Sequence, residues 1–271
     1  MYPIVVVLLD GLGDRAHDVL GGRTGNEAAH TPLLDALCAR GSSGVLYAVG
    51  PGRAPSSEVA HWSMLGYATD EFPGRAVFEA VGRGQAVSAE HVFAYAALRP
   101  AERRDDGWWL TGRPDPQRDA EEAERLVAMC DGIEVEGLTF SLEQVWRGEA
   151  VVRISGGADE RVTDSDAFFR DRHPLLRPQP LVPEAERTAR AAEKWTREVM
   201  KRLEGGRFNV ITLKWWGRPT NVPSFSERHG VGGSFIGESA FLRGLGAAYR
   251  KSGRTKPLMD KFAFHPYPKK D

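Results

Sequence analysis

Little in this sequence points to an oxidising compartment, a membrane or a nucleic acid. Two cysteines occur in 271 residues, Cys38 and Cys130, far apart and in segments that read as helix. This argues against a disulfide framework or a cysteine metal site. Both thiols are expected to be small buried hydrophobes in a reducing cytoplasm. No apolar run approaches the roughly 20 residues that a bilayer-spanning helix needs. The apolar stretch near the start is shorter and has no basic flank, so it is not expected to be a signal peptide. An excess of one charge is missing too, because 36 basic and 37 acidic side chains leave a net charge of −1. Such a balance gives no general attraction to nucleic acid or to a lipid surface. Internal repeats and low-complexity tracts are absent.

What is present is the composition of an ordinary globular chain, 41% hydrophobic and 27% charged, long enough for one large domain or two modest ones. The organising stretch is Ile4-Val5-Val6-Val7-Leu8-Leu9-Asp10-Gly11-Leu12-Gly13-Asp14. An unbroken apolar run reads as a strand buried on both faces, the state of a central parallel strand. Glycines then let the chain turn sharply. Asp10 would stand at the carboxyl end of that strand, where open α/β sheets place their ligands. A helix-capping or turn aspartate is the other reading of Asp10.

Thr31-Pro32 opens a helix through Arg40 that Gly41 ends, and residues 45–49 read as a second buried strand. The Gly/Pro/Ser loop 50–57 leads into a short helix ended by Gly66. That junction suits a phosphate, since free N–H groups and the helix dipole face it. From about Tyr67 the texture changes to short strand-like segments near 92–98, 108–111, 133–140 and 149–154, with one helix at 117–129. Trp108-Trp109 beside Asp105-Asp106-Gly107 reads as a hairpin packed on the core of this region. This is the pattern of an inserted α+β domain. A long helix follows Pro183-Glu184 with the apolar stripe Ala185, Ala189, Ala192, Trp195, Val199 and Leu203, and residues 208–213 read as an interior strand.

Asp10 at a strand end and Ser56 or Ser57 at a helix start make one chemical suggestion. A hydroxyl beside a divalent cation held by carboxylates is a workable nucleophile for phosphoryl transfer. Simple N-capping is the alternative for Ser57.

Eight stretches stand out in order: the first are Leu8-Leu9-Asp10-Gly11-Leu12-Gly13-Asp14-Arg15, Leu20-Gly21-Gly22-Arg23-Thr24 with Glu27 to Asp35, and Gly50-Pro51-Gly52. Ser57-Glu58-Val59-Ala60-His61 with Leu65-Gly66-Tyr67 follows, then Pro73-Gly74-Arg75 with Phe78-Glu79-Ala80. The last are Val162-Thr163-Asp164-Ser165-Asp166, Glu184 to Ala189, and Pro223-Ser224-Phe225-Ser226-Glu227-Arg228-His229-Gly230. Together they resemble one family, the archaeal-type 2,3-bisphosphoglycerate-independent (cofactor-independent) phosphoglycerate mutases of the alkaline phosphatase superfamily.

The resemblance implies an α/β fold: an alkaline-phosphatase-like, mostly parallel sheet flanked by helices, with a smaller inserted α+β domain. Residues 1–66 and 175–240 would form the core, 67–174 the insert and 241–271 an atypical tail. It implies a cytoplasmic isomerase of glycolysis and gluconeogenesis that interconverts 3-phosphoglycerate and 2-phosphoglycerate through a phosphoserine. It also implies two divalent metal ions (Mn²⁺, Mg²⁺ or Zn²⁺). Asp10 would be a metal ligand, and Ser57 both nucleophile and metal ligand. Asp14, Arg15, His61, Arg75, Arg147, Asp164 and Asp166 would orient the substrate or the groups behind it. A solvated hairpin arginine is the alternative for Arg147, and a turn cap for the Asp164/Asp166 pair.

The chain departs from the family pattern at three places. Ser56-Ser57-Glu58 replaces Gly-Ser-Asp, Tyr95-Ala96-Ala97-Leu98 replaces polar residues, and Lys214-Trp215-Trp216 replaces a glycine-rich loop. The family's remaining metal ligands, aspartates and histidines of a long C-terminal segment, have no counterpart here. Residues 241–268 instead resemble a piece of a glycoside-hydrolase barrel, and their Asp260 and His265 match no ligand motif of the family. Two rival functions follow: another phosphotransferase or phosphatase of the superfamily, or a non-catalytic homologue that binds an anion or a partner.

Overall fold

The computed structural model describes residues 4–146, 148–167 and 172–248. The chain divides into two compact units, Met1–Thr69 and Asp70–Asp271. Arg147, Asp260 and His265 lie outside the described residues.

The first unit carries α1 (Gly25–Ala28), α2 (Pro32–Arg40) and α3 (Ser57–Met64). Thr24 caps α1 in a reciprocal box with Glu27. α2 starts on Pro32 and ends before Gly41 as its sequence dictates, but it buries no residue, and Cys38 on it is exposed. Its thiol is therefore not the core residue expected. Among the described residues of this unit only Glu58, His61, Trp62 and Tyr67 are buried; Trp62 stacks on Tyr67 at 4.4 Å and its indole N–H donates to the Ala68 carbonyl.

The second unit begins with α4 (Arg75–Gly82), followed by β1 (Val92–Arg99), β2 (Ala101–Arg104), β3 (Gly107–Leu110), α5 (Ala120–Met129), β4 (Ile133–Val135), β5 (Leu138–Trp146), β6 (Glu149–Ser155) and β7 (His173–Pro174). It continues with α6 (Glu186–Arg202), β8 (Val210–Gly217), α7 (Phe225–His229) and α8 (Ala240–Ala248). Five strands form one sheet in the order β4-β5-β6-β1-β8, and β2-β3-β7 form a second. The hairpin expected around Trp108-Trp109 is β2–β3, with the Arg104 guanidinium carbon 4.5 Å from the Trp109 ring centroid.

One face of the larger sheet packs on α5 and α6. Every residue of the predicted α6 stripe, from Ala185 to Leu203, is buried, and Trp195 stacks on Phe140 at 5.3 Å. Cys130, next to α5, is buried here as expected, and burial pushes its thiol up to about 11. The other face meets α4, and α8 packs on α4 through glycines. A Cβ on Gly82 would lie 1.8 Å from the Ala240 carbonyl, and one on Gly244 1.8 Å from that of Phe78.

The expected mostly parallel sheet is corrected here. Among the described residues every ladder is antiparallel, while the coarser expectation of a mixed α/β protein stands. Residues 4–9 and 45–49 form no strand; 4–9 and 45–47 are exposed, Ile4 at 91% and Val45 at 82%, and 48–49 are half-buried. The physical reason is that a doubly buried strand is made by its neighbours. Its apolar run supplies the driving force, but the ladder partners and covering layers must come from elsewhere. No described strand pairs with either run. The segment 208–213 does become a strand, β8, but it runs antiparallel to β1.

Candidate active site

Ser57 is the first helical residue of α3, and Ser56 takes the N-cap position with extended backbone, φ −76° and ψ 153°. Ser56 holds that position without a capping hydrogen bond from its side chain, and the exposed Ser57 stands at the positive end of the helix. One turn on, His61 is buried, and its Nδ1 lies 2.5 Å from the Ser57 carbonyl. A carbonyl only accepts, so Nδ1 carries the proton and the ring is fixed against the first turn.

Asp10 is exposed at the end of the apolar run. Asp14 accepts from His17 Nε2 at 3.0 Å, from the Arg15 N–H at 2.8 Å and from the Gly25 N–H at 3.3 Å. These bonds, His17 first, hold its carboxyl below the usual carboxylate range. Asp14 thereby ties the 14–25 loop together, with Arg15 exposed beside it. Among the described residues, no three His, Cys, Asp or Glu side chains converge as donors for a metal ion. Asp10 and Ser57 by themselves do not make a metal centre, which needs four or more ligands.

The second unit holds a denser group of charges on the α4 face of the larger sheet. The pairing of Tyr95 with Lys214 brings both side chains to that face, and the period-2 alternation adds Ala97 and Arg99 from β1 and Thr212 from β8. Glu149, opposite Ala97, accepts from the Tyr95 hydroxyl at 2.5 Å. Arg75 starts α4, bonded to Glu79 one turn on, with Nη2 to Oε1 at 3.2 Å. Its guanidinium carbon stands 4.6 Å from the Trp215 ring centroid and 5.5 Å from that of Tyr95. This approach depends on a backbone crossing that only glycine permits. Gly74, at φ +94°, lies against Gly217, where an added Cβ would meet the Pro73 carbonyl at 1.9 Å.

Asp164 and Asp166 share a loop but differ in role. Asp166 is fully buried, and its Oδ2 accepts from Arg99 Nε at 3.1 Å, Arg99 Nη2 at 2.8 Å and Thr212 Oγ1 at 2.9 Å. His173 Nε2 lies 3.1 Å from its Oδ1. Asp166 therefore joins β1, β8 and β7. Asp164 accepts the Trp215 N–H at 2.9 Å.

Burial shapes the proton affinities here. It pushes Asp164 up to about 6 against the opposing Trp215 bond and the Lys214 charge, with Asp166 adding to the rise. Burial also lowers Lys214 to about 8, resisted by Asp166 and Glu149. Glu79 and Tyr95 are both raised, again mainly by burial.

A stability prediction follows from Asp164. A carboxyl raised in the folded state contributes stability below its unfolded pKa of about 3.9, and that contribution is lost as pH rises through about 6. Asp164→Asn keeps an acceptor for the Trp215 N–H and removes the charge. It is expected to be more stable than the parent by up to about 3 kcal/mol at pH 8, with the difference vanishing near pH 4. Melting curves of both chains across this range check it. Lys214 titrates in both, so the difference reports Asp164, and a gap independent of pH would refute the assignment.

The structure thus brings Arg75 and Asp164 to the same neighbourhood, through Trp215, and puts Asp166 beneath it. It places Asp10, Asp14, Arg15, Ser57 and His61 in the other unit. Sequence reasoning did not single out Glu149 or Arg99, it noted Tyr95 and Lys214 only as departures, and it quoted Glu79 only within a matching stretch. The available signal was the alternation Tyr95-Ala97-Arg99 and Thr212-Lys214 in otherwise apolar runs.

Residues 38–209 match the family described as 2,3-bisphosphoglycerate-independent phosphoglycerate mutase. The chain is similar to the enzyme of that name, numbered 2, from Methanocaldococcus jannaschii, at 30% identity over 264 residues, covering 89% of this chain and 61% of the relative. It is 32% identical over 260 residues to the one from Methanopyrus kandleri, covering 90% and 61%. Among solved structures, the cofactor-independent phosphoglycerate mutase of Thermoplasma acidophilum superposes with a TM-score of 0.51 at 26% identity, covering 90% of this chain and 66% of that one. A Pyrococcus horikoshii protein gives 0.63 at 23% identity, covering 89% and 58%, a likeness of fold. The chain spans about three fifths of the length of the curated relatives it matches.

Proposed function

The chain belongs to the family of 2,3-bisphosphoglycerate-independent phosphoglycerate mutases, and from that membership we propose that it interconverts 3-phosphoglycerate and 2-phosphoglycerate through a phosphoserine on Ser57. The carrying observation is that the family match spans residues 38–209 and so includes the loop and α3 that present Ser57, exposed, at a helix start.

The chemistry divides by unit. In the first half-reaction Ser57 Oγ forms a bond to phosphorus as the bond to the glycerate oxygen breaks. The serine proton leaves with a base, and the departing alkoxide takes one up. In the second half-reaction the other glycerate hydroxyl attacks the phosphoserine, so the phosphate moves between positions with no net change in protons. His61, fixed against the first turn of α3, holds the helix start in place. In the second unit, Arg75 and Lys214 offer positive charge suited to a carboxylate or phosphate group. Asp14, Arg15, Asp164 and Asp166 organise the loops behind these groups, and Arg147 would add a further cation.

The family is metal-dependent in general. The finer reading is two divalent ions, Mn²⁺, Mg²⁺ or Zn²⁺, with Asp10 and Ser57 among the donors. The described donors do not converge on such a set. On this reading residues 1–66 and 175–240 belong to one phosphatase-like core interrupted by 67–174, followed by the tail 241–271. The setting is cytoplasmic glycolysis, and the partner is the small phosphorylated substrate, not a nucleic acid or a membrane. No helix among the described residues is long and apolar enough to cross a bilayer.

The test is a ³¹P NMR assay of the chain with 3-phosphoglycerate and each of the three metals in turn. The expected result is 2-phosphoglycerate without free phosphate. Phosphate release alone would move the assignment to a phosphatase, and no turnover by folded protein would overturn it.

A further inference from the structure

Trp215 combines three features that its place in β8 does not require. It has φ +55°, a left-handed backbone that among the described non-glycine residues only Glu136 shares. Bulky side chains avoid this conformation, and it persists only where the surroundings hold it. Its N–H is held by Asp164, and its half-buried ring lies 5.1 Å from Tyr95.

The third feature is charge. The Arg75 guanidinium carbon and Lys214 Nζ stand 4.6 and 4.5 Å from the one indole centroid, and both stand 5.5 Å from the Tyr95 centroid. Two cations converging on one small region repel each other, and a dianion between them would relieve that repulsion more strongly than a ring quadrupole does. Arg75 is also bonded to Glu79, and Asp166 and Glu149 act on Lys214, so the indole shares these cations with carboxylates.

We propose that Trp215 is a specificity-determining residue of this face, its indole standing where a small dianionic phosphate group would bridge Arg75 and Lys214, so that phosphate binds only when the ring is displaced. The inference rests on reading these cations as the anion cradle of the proposed function. Mutase turnover enters no arm of the test, so loss of that activity and failure of this inference are separate results.

The probe is inorganic phosphate, titrated into the full chain by calorimetry. Trp215→Gly, which suits φ +55° and clears the ring, is expected to bind phosphate at least about tenfold more tightly. Lys214→Met in that background is expected to abolish the gain. Trp215→Asn, which tolerates the left-handed backbone, is the second variant should glycine loosen the strand. Folded variants that bind phosphate no better than the parent would overturn the proposal. The unmodified chain gives an independent reading, because phosphate is expected to move the Trp215 indole N–H resonance, assigned by its loss in Trp215→Asn. A resonance unmoved at the highest phosphate the protein tolerates overturns the proposal without an affinity measured on any variant.

Discussion

Asp166→Ala is expected to cost about 3–5 kcal/mol of stability, the largest effect of any single substitution considered. The reason is not the loss of a favourable ion pair, since pairing two buried charges roughly offsets the cost of desolvating them. It is what remains. Arg99 is 3% exposed and cannot lose its proton, so removal of the carboxylate leaves a guanidinium buried with only the Gly112 carbonyl among its described acceptors. Thr212 and His173 lose an acceptor in the same step. For a unit of this size the melting temperature should fall by about 10 °C. Asp166→Asn, which keeps the shape and one acceptor, should fall between the two. Arg99→Met combined with Asp166→Leu should recover much of the loss, because apolar replacement of both partners leaves no orphaned charge. Calorimetric melts of the four chains decide this. A drop of under about 2 °C for Asp166→Ala would show that the network is solvated and that its burial has been misjudged.

Loss of mutase activity by at least about a thousandfold is expected for Ser57→Ala, on the scale of other removed nucleophiles. Alanine is tolerated at the first turn of a helix, and the N-cap is Ser56, so the fold of α3 should survive. A matched melting temperature with activity gone would separate chemistry from folding. The parent chain, incubated with phosphoglycerate and quenched, should also carry an acid-stable phosphate on the peptide containing Ser57, and the variant should not. Activity retained in Ser57→Ala would remove the phosphoserine from the mechanism and move attention to a direct transfer.

Much of the fold was legible because it is written in local periodicity. The α6 stripe recurs at helical spacing, and all six positions are buried. Thr31-Pro32 and Gly41 bracket α2 within a residue of its observed ends. The short strands at 92–98, 108–111, 133–140 and 149–154 correspond to β1, β3, β4 with β5, and β6. Each depends on residues a few positions apart, and a sequence displays such patterns directly. Ser57 was legible for the same reason, since a Ser-Ser loop before a helix is a local signal.

The charged face was not legible. Tyr95 and Lys214 are far apart in the chain, and register alone sets them opposite each other. β1 reads Val-Phe-Ala-Tyr-Ala-Ala-Leu-Arg, nearly all apolar, so which half faces the helices of the core and which half faces α4 cannot be read from its composition. Asp164 and Asp166, two residues apart, looked equivalent. Their division into a clamp on Trp215 and a buried junction depends on which strands the loop crosses.

By itself the sequence determined the family, the places of β1, β3, β6, β8, α5 and α6 in the second unit, the α6 face that is buried, and the serine presented at the start of α3. Helix caps, spacing and motif order carry those, and they act over a turn or two of chain. Only the tertiary structure decided that the ladders are antiparallel, that residues 4–9 are an exposed apolar run rather than a central strand, and that Arg75, Tyr95, Glu149 and Lys214 share one face. Strand pairing and the environment of a charge are set by partners distant in sequence. An apolar run specifies that it will be buried if neighbours are supplied, and it does not specify the neighbours.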